Sequence, residues 1–171
     1  MRFFTILLLA LLVTSPATAS ELAEKRPEVS NFSLRTLKGE QFKFESVKGK
    51  VIVVSFWASW CKPCIQELGF LKKLQKKYPN KFVVLAVSTD DSNTIAGVRK
   101  IVRRKKLTMP ILMDSQGSLM GELNARGNLP FSVYVDRTGR IAAKHDGFAS
   151  GDEEKIEAIV KALLAEAQPK K

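Results

Sequence analysis

Two kinds of apolar run alternate along the chain. Val51 to Trp57 and Phe82 to Val87 are near-continuous stretches of β-forming residues, the mark of strands covered on both faces. Between them the apolar positions recur at helical spacing. Winding Cys61 to Lys77 at about 100° per residue puts Cys64, Leu68, Leu71, Leu74 and Tyr78 in one arc. Lys62, Lys72, Lys73, Lys76 and Lys77 fill the opposite side, and Pro79 ends the helix. Upstream, Phe32–Leu34 and Phe42–Phe44 alternate apolar with polar positions around Lys38-Gly39-Glu40, which predicts a β-hairpin. Downstream, Ser92 to Lys106 sets Ile95, Val98, Ile101 and Val102 on one side of a second helix. A strand at Ile111–Met113, a short helix near Leu119–Leu123 and a strand at Phe131–Val135 follow. A turn at Arg137–Arg140, a strand at Ile141–Lys144 and a helix from about Asp152 to Ala167 complete the pattern. Strands alternating with helices and closed by a hairpin predict an α/β fold with a mixed central sheet flanked by helices.

The 171 residues fit one domain, and a core of that size needs neither disulfide nor metal to fold. The first residues break the pattern. Arg2, an apolar run from Phe3 to Val13 too short to span a bilayer, and Ala17-Thr18-Ala19 read as a secretory signal peptide over residues 1–19. The alternative is an uncleaved membrane anchor; no cysteine follows the run, which excludes a lipid-anchored form. Residues 20–28 read as a flexible lead-in, 29–168 as the folded domain and 169–171 as a frayed tail. Export places the domain in the periplasm or beyond, where disulfides persist. It also removes nucleic acid as the partner that a formal charge of +11 would otherwise suggest. Arg99, Lys100, Arg103, Arg104, Lys105 and Lys106 crowd one helix. They read first as a solvated face, with a peripheral contact to an acidic partner or an anionic membrane as the sharper alternative.

The only two cysteines, Cys61 and Cys64, fall where a buried strand gives way to a helix. In the first helical turn the N–H groups lack intrahelical partners and the dipole is positive, so a thiolate at Cys61 is stabilised there. Pro63 fits a turn that does not need its missing N–H. Side chains three apart on a helix are close enough to bridge with small adjustment, and the loop so closed is too short to stabilise the fold. A metal site is poorly supplied: structural zinc takes four Cys or His ligands, and this chain offers two cysteines and one histidine, His145. A copper site on those three has no further support, and His145, before Gly147, reads as a surface residue at a strand end. The pair therefore reads as a redox couple. Glu67 lands inside the apolar arc one turn below Cys64. It either reaches solvent at the domain edge or is desolvated, with a raised pKa, and exchanges a proton with Cys64.

With these residues assembled, the chain resembles the thioredoxin-like superfamily, and within it the exported TlpA/ResA/CcmG-type thiol-disulfide oxidoreductases. The resemblance rests on Phe56-Trp57-Ala58-Ser59-Trp60-Cys61-Lys62-Pro63-Cys64, on Glu67, on Leu129-Pro130 before a strand, and on Val135 to Ile141. It implies a thioredoxin-like fold with an N-terminal β-hairpin and an inserted helix-strand segment near residues 92–113. It implies that Cys61 attacks a substrate disulfide, Cys64 resolves the mixed disulfide, and Glu67 moves the proton. Leu129-Pro130 would be a cis peptide that, with Trp60, Lys62 and Pro63, holds the substrate chain. The resemblance further implies no cofactor beyond the cysteine pair, protein disulfides as substrates, such as haem-attachment cysteines in cytochrome c maturation, and a membrane electron-delivering reductase as partner. A disulfide-donating oxidant and a redox-inert binding or chaperone module are the rival readings. The sequence departs from the family in having Ser55 where thioredoxins keep a buried aspartate, Gly69 where proline is frequent, and Phe131 where threonine commonly follows the cis proline. The last suggests a more apolar substrate groove.

Overall fold

The computed structural model describes residues 25–167; the expected signal peptide, the first part of the lead-in and the tail lie outside the described residues. The strands are β1 (Ser33–Thr36), β2 (Gln41–Lys43), β3 (Val51–Trp57), β4 (Phe82–Ser88), β5 (Ile111–Met113), β6 (Phe131–Val135) and β7 (Ile141–Asp146). The helices are α1 (Lys62–Lys77), α2 (Ile95–Lys105), α3 (Ser118–Leu123) and α4 (Asp152–Ala165), with a 3-10 turn at Phe44–Val47. The strands form one mixed sheet in the order β2-β1-β5-β4-β3-β6-β7. β3, β4 and β5 run parallel, while β6 lies antiparallel to β3, β7 to β6, and β1 to both β2 and β5.

Every residue of β3 is buried, as its unbroken apolar run requires of a strand with both faces covered. Val51, Val53 and Trp57 join the core beneath α1, α2 and α4; Ile52, Val54 and Phe56 join the core beneath α3 and the 3-10 turn. Helix α1 turns Cys64, Leu68, Leu71 and Leu74 into the first core. Each leucine buried this way contributes about 1.5–3 kcal/mol of apolar transfer.

Three features differ from the sequence expectation. Helix α2 starts at Ile95 rather than Ser92, because the Asp91 carboxylate accepts from the N–H groups of Asn93 (2.8 Å) and Thr94 (3.1 Å) and holds them in a turn. β7 runs on to Asp146, pairing His145 with Ser132, so His145 is a sheet residue with only 17% of its side chain exposed. The end of the lead-in is docked rather than free. Arg26 bonds Asp136 (3.0 Å) and Glu166 (2.7 Å), the Pro27 carbonyl accepts from Ile141 N–H, and Glu28 bridges Arg140. Nearby, the buried Arg137 guanidinium donates to the carbonyls of Leu163, Leu164 and Glu166, satisfying the open C-terminal turn of α4.

Candidate redox site

The C-terminal ends of β3 and β4 and the N-terminal end of β6 meet at one pole of the sheet, and the cysteines sit there. Beyond Trp57 the chain makes one turn, closed by Cys61 N–H on the Ala58 carbonyl (3.0 Å), and enters α1 with Cys61 as its N-cap. Cys61 Sγ accepts from Cys64 N–H at 3.3 Å, so the sulfur occupies the place where a capping oxygen normally satisfies the first helical turn. Cys61 and Cys64 are joined as a disulfide with their Cα atoms 5.3 Å apart. Cys61 is 6% exposed and Cys64 is fully covered, so only the first is open to attack. Trp60 beside it is 70% exposed, Lys62 is exposed, and Pro63 is half-buried.

The turn that carries Cys61 is pinned from β4. Asp90, 2% exposed, accepts from Ser59 N–H (2.8 Å), Ser59 Oγ (2.7 Å) and Ser88 Oγ (2.8 Å). Gly97 of α2 lets this turn approach, since a Cβ there would stand 2.9 Å from Ser59 Cβ and closer to its Oγ. The Leu129–Pro130 peptide bond is cis, and Pro130 is buried just ahead of β6. Its carbonyl accepts from Gly147 N–H at 2.9 Å, and Asn128 Nδ2 donates to Asp146, so the loop before β6 and the end of β7 are tied together. Phe131 does not line this pole. It packs into the core on the opposite face of the sheet, 6.5 Å from the Phe56 ring, so it makes no groove more apolar.

Glu67 is fully buried one turn below Cys64. Ser55 Oγ donates to its Oε2 (3.2 Å) and Ser132 Oγ to its Oε1 (2.7 Å); the two serines are direct neighbours across β3 and β6. Burial pushes the carboxyl up to about 7; the hydroxyls of Ser132 and Ser55 pull it partly back, and the charge of Asp152 adds to the rise. Tyr134 Oη is buried with no hydrogen-bond partner among the described residues, and burial, Glu67 and Asp152 all raise its pKa. His145, opposite Ser132, brings Nε2 to 3.5 Å from Asp152 Oδ2, within ion-pair reach but without hydrogen-bond geometry. Among the described residues no three His, Cys, Asp or Glu side chains gather into a metal-holding group.

The structure thus brings Cys61, Cys64 and Glu67 onto one helix and sets Trp60, Lys62, Pro63, Leu129 and Pro130 at the same pole. Ser132 and Asp90 are the additions. Ser132 had a readable signal, being, like Ser55, the one serine in a strand of otherwise aliphatic and aromatic residues. Asp90 had none, because an acid after a strand is ordinary in a loop.

The Redoxin family profile matches residues 23–160. The chain belongs to the Redoxin family. This redoxin is 39% identical over 124 residues to the thioredoxin-like protein YneN of Bacillus subtilis, the match covering 70% of each chain. It is 31% identical over 117 residues to the thiol-disulfide oxidoreductase ResA of Bacillus cereus, covering 68% of this chain and 66% of that one. Its fold superposes with TM-score 0.75 on a Chlorobium tepidum protein assigned as a thiol:disulfide interchange protein DsbE, at 29% identity, over 82% of this chain and 98% of that one. With the Cys61–Cys64 pair in place, the redoxin is a thiol-disulfide oxidoreductase of the ResA and DsbE type.

Proposed function

We propose that the protein works as a reductant of specific protein disulfides in the periplasm, such as those of haem-attachment cysteines in cytochrome c maturation. A membrane electron-delivering reductase would return it to the dithiol state. The observation that carries the direction is the buried Glu67 carboxyl one turn below a fully covered Cys64. A carboxylate there opposes a thiolate on Cys64, which disfavours the ionised dithiol and so favours giving electrons away. The charge of Lys62 works the other way, but it is exposed and screened.

In this reading the Cys61 thiolate, held by the N–H groups of the first turn of α1, attacks one sulfur of the substrate disulfide. The second substrate sulfur leaves as a thiolate and takes a proton from solvent. The Cys64 thiol passes its proton to the Glu67 carboxylate and attacks Cys61 Sγ, closing the Cys61–Cys64 bond and releasing the first substrate sulfur as a thiolate, which is then protonated. Two electrons move from the protein to the substrate, and the proton on Glu67 returns to solvent. Trp60, Lys62, Pro63, Leu129 and Pro130 flank the attacking sulfur and hold the substrate chain against it.

The test is an equilibrium titration of the pair against glutathione or dithiothreitol. A potential near the thioredoxin value of about −270 mV is expected, and one near the strong-oxidant value of about −120 mV would reverse the direction.

A further inference from the structure

Helix α1 carries five lysines and one acid, the buried Glu67, and α2 carries five cations and no acid at all. Lys72 joins the two basic faces by donating from Nζ to the Lys105 carbonyl at 2.8 Å. Among the described residues, Lys73 and the cations of α2 have no carboxylate within ion-pair distance, whereas Lys77 on the far flank is taken by Glu157. The charge nearest the α1–α2 seam is therefore uncompensated.

Beside that seam, between α1 and the segment from Phe148 to Glu153 and reached from α2 by Lys105, lies an open groove of about 650 Å³. Ile65, Phe70 and Phe148 give it apolar walls, Lys73 and Lys105 stand at its edge, and Glu153 is the one acid that borders it. Gly69 makes the groove deep, since a Cβ there would meet nothing within 4 Å. The groove begins at the redox pole. Ile65 directly follows Cys64, and Phe148 follows Gly147, whose N–H is bonded to the Pro130 carbonyl.

We propose that this groove docks an acidic segment of the protein whose disulfide is exchanged. One apolar side chain of that segment sits over Gly69 between Phe70 and Phe148, and its carboxylates meet Lys73 and Lys105. The proposal rests on the oxidoreductase reading above and assigns its partner a chemistry. Carboxylates outnumbered by lysines at the edge match the uncompensated charge, and the concavity favours a peptide over a flat bilayer. Glu153, on the α4 side, turns the acidic residues toward the α1–α2 seam.

The experiment uses the reduced protein and three short peptides. Each carries one cysteine as a mixed disulfide with a chromogenic aromatic thiol, with Leu beside three Asp, three Lys or three Gln residues. A small aromatic disulfide without peptide serves as the reference for the chemistry. The acidic peptide is expected to react about tenfold faster than the basic one at low salt, the advantage shrinking to within about twofold in 0.5 M salt. Lys73→Glu with Lys105→Glu should invert the preference, and Gly69→Leu, which fills the groove, should slow the acidic peptide severalfold. Both variants should keep the wild-type rate with the small disulfide. Equal rates for the acidic and basic peptides, or groove variants that change nothing, overturn the docking proposal while leaving the oxidoreductase reading standing. Failure of the wild-type protein to reduce even the small disulfide overturns both. Flotation with phosphatidylglycerol vesicles that is lost in Lys73→Glu/Lys105→Glu, with no discrimination among the peptides, assigns the face to lipid instead.

Discussion

Replacing Glu67 with glutamine isolates the cost of a charge buried beside the cysteines. With its carboxyl raised from 4.5 to about 7, ionising Glu67 in the fold costs about 3 kcal/mol more than in the unfolded chain. The contribution of a group with a raised folded pKa is fully present below pH 4.5 and is lost as pH rises through about 7. Glutamine keeps the shape and removes the charge, but its amide donates, so either Ser55 or Ser132 must turn its hydroxyl to accept, which returns part of the gain. The oxidised Glu67→Gln protein should be more stable than wild type by about 1–3 kcal/mol at pH 8, and that margin should fall by about 2 kcal/mol at pH 5. Urea unfolding followed by circular dichroism, on both proteins at both pH values, measures the double difference and cancels every other carboxylate. A margin that is the same at pH 5 and pH 8 would refute the reasoning. In turnover, wild type should speed up as pH rises through about 7 and Glu67→Gln should lack that step.

The other predictions are smaller. Ser132→Ala removes the shorter of the two hydrogen bonds to Glu67, so the turnover step should move to higher pH, read directly in the pH–rate profile. Gly97→Ala forces a Cβ against Ser59 and should cost about 1–3 kcal/mol in urea unfolding, with slower reduction of substrate because the turn carrying Cys61 shifts. Cys64→Ser leaves the mixed disulfide unresolved, so the protein should accumulate as a covalent adduct with its substrate on non-reducing gels, whereas Cys61→Ser should form none.

Legibility followed the range of the forces involved. β3, β4 and α1 could be read because a run of apolar residues, or its helical spacing, reports burial locally. The placing of Cys61 at a helix start and of Glu67 on the apolar side of α1 needed nothing else. The start of α2 was misjudged because periodicity does not see Asp91 capturing two backbone N–H groups that a helix would otherwise claim. His145 looked exposed until strand pairing set it opposite Ser132, and Arg26 looked mobile until the fold brought Asp136 and Glu166 to it, 110 and 140 residues away. Asp90 acquires its role only from a turn 31 residues earlier in the chain. The Arg26 and Asp90 contacts depend on tertiary closure between distant segments, whereas the Asp91 turn and the His145 pairing are near in sequence but leave no mark in the apolar periodicity.

The Arg26 clamp gives the domain an orientation. Asp136 follows the end of β6 that lies beside the start of β3, whereas Cys61 follows the end of β3, so the length of one strand, about 20 Å, separates the clamp from the disulfide. Lys25, the first described residue, therefore sits next to the clamp at the pole opposite the disulfide. The contacts that tie the two ends of the domain together and the contacts that present Cys61 thus occupy opposite poles, with the buried β3 between them. A change that loosens the clamp is therefore felt first at the pole that does no chemistry.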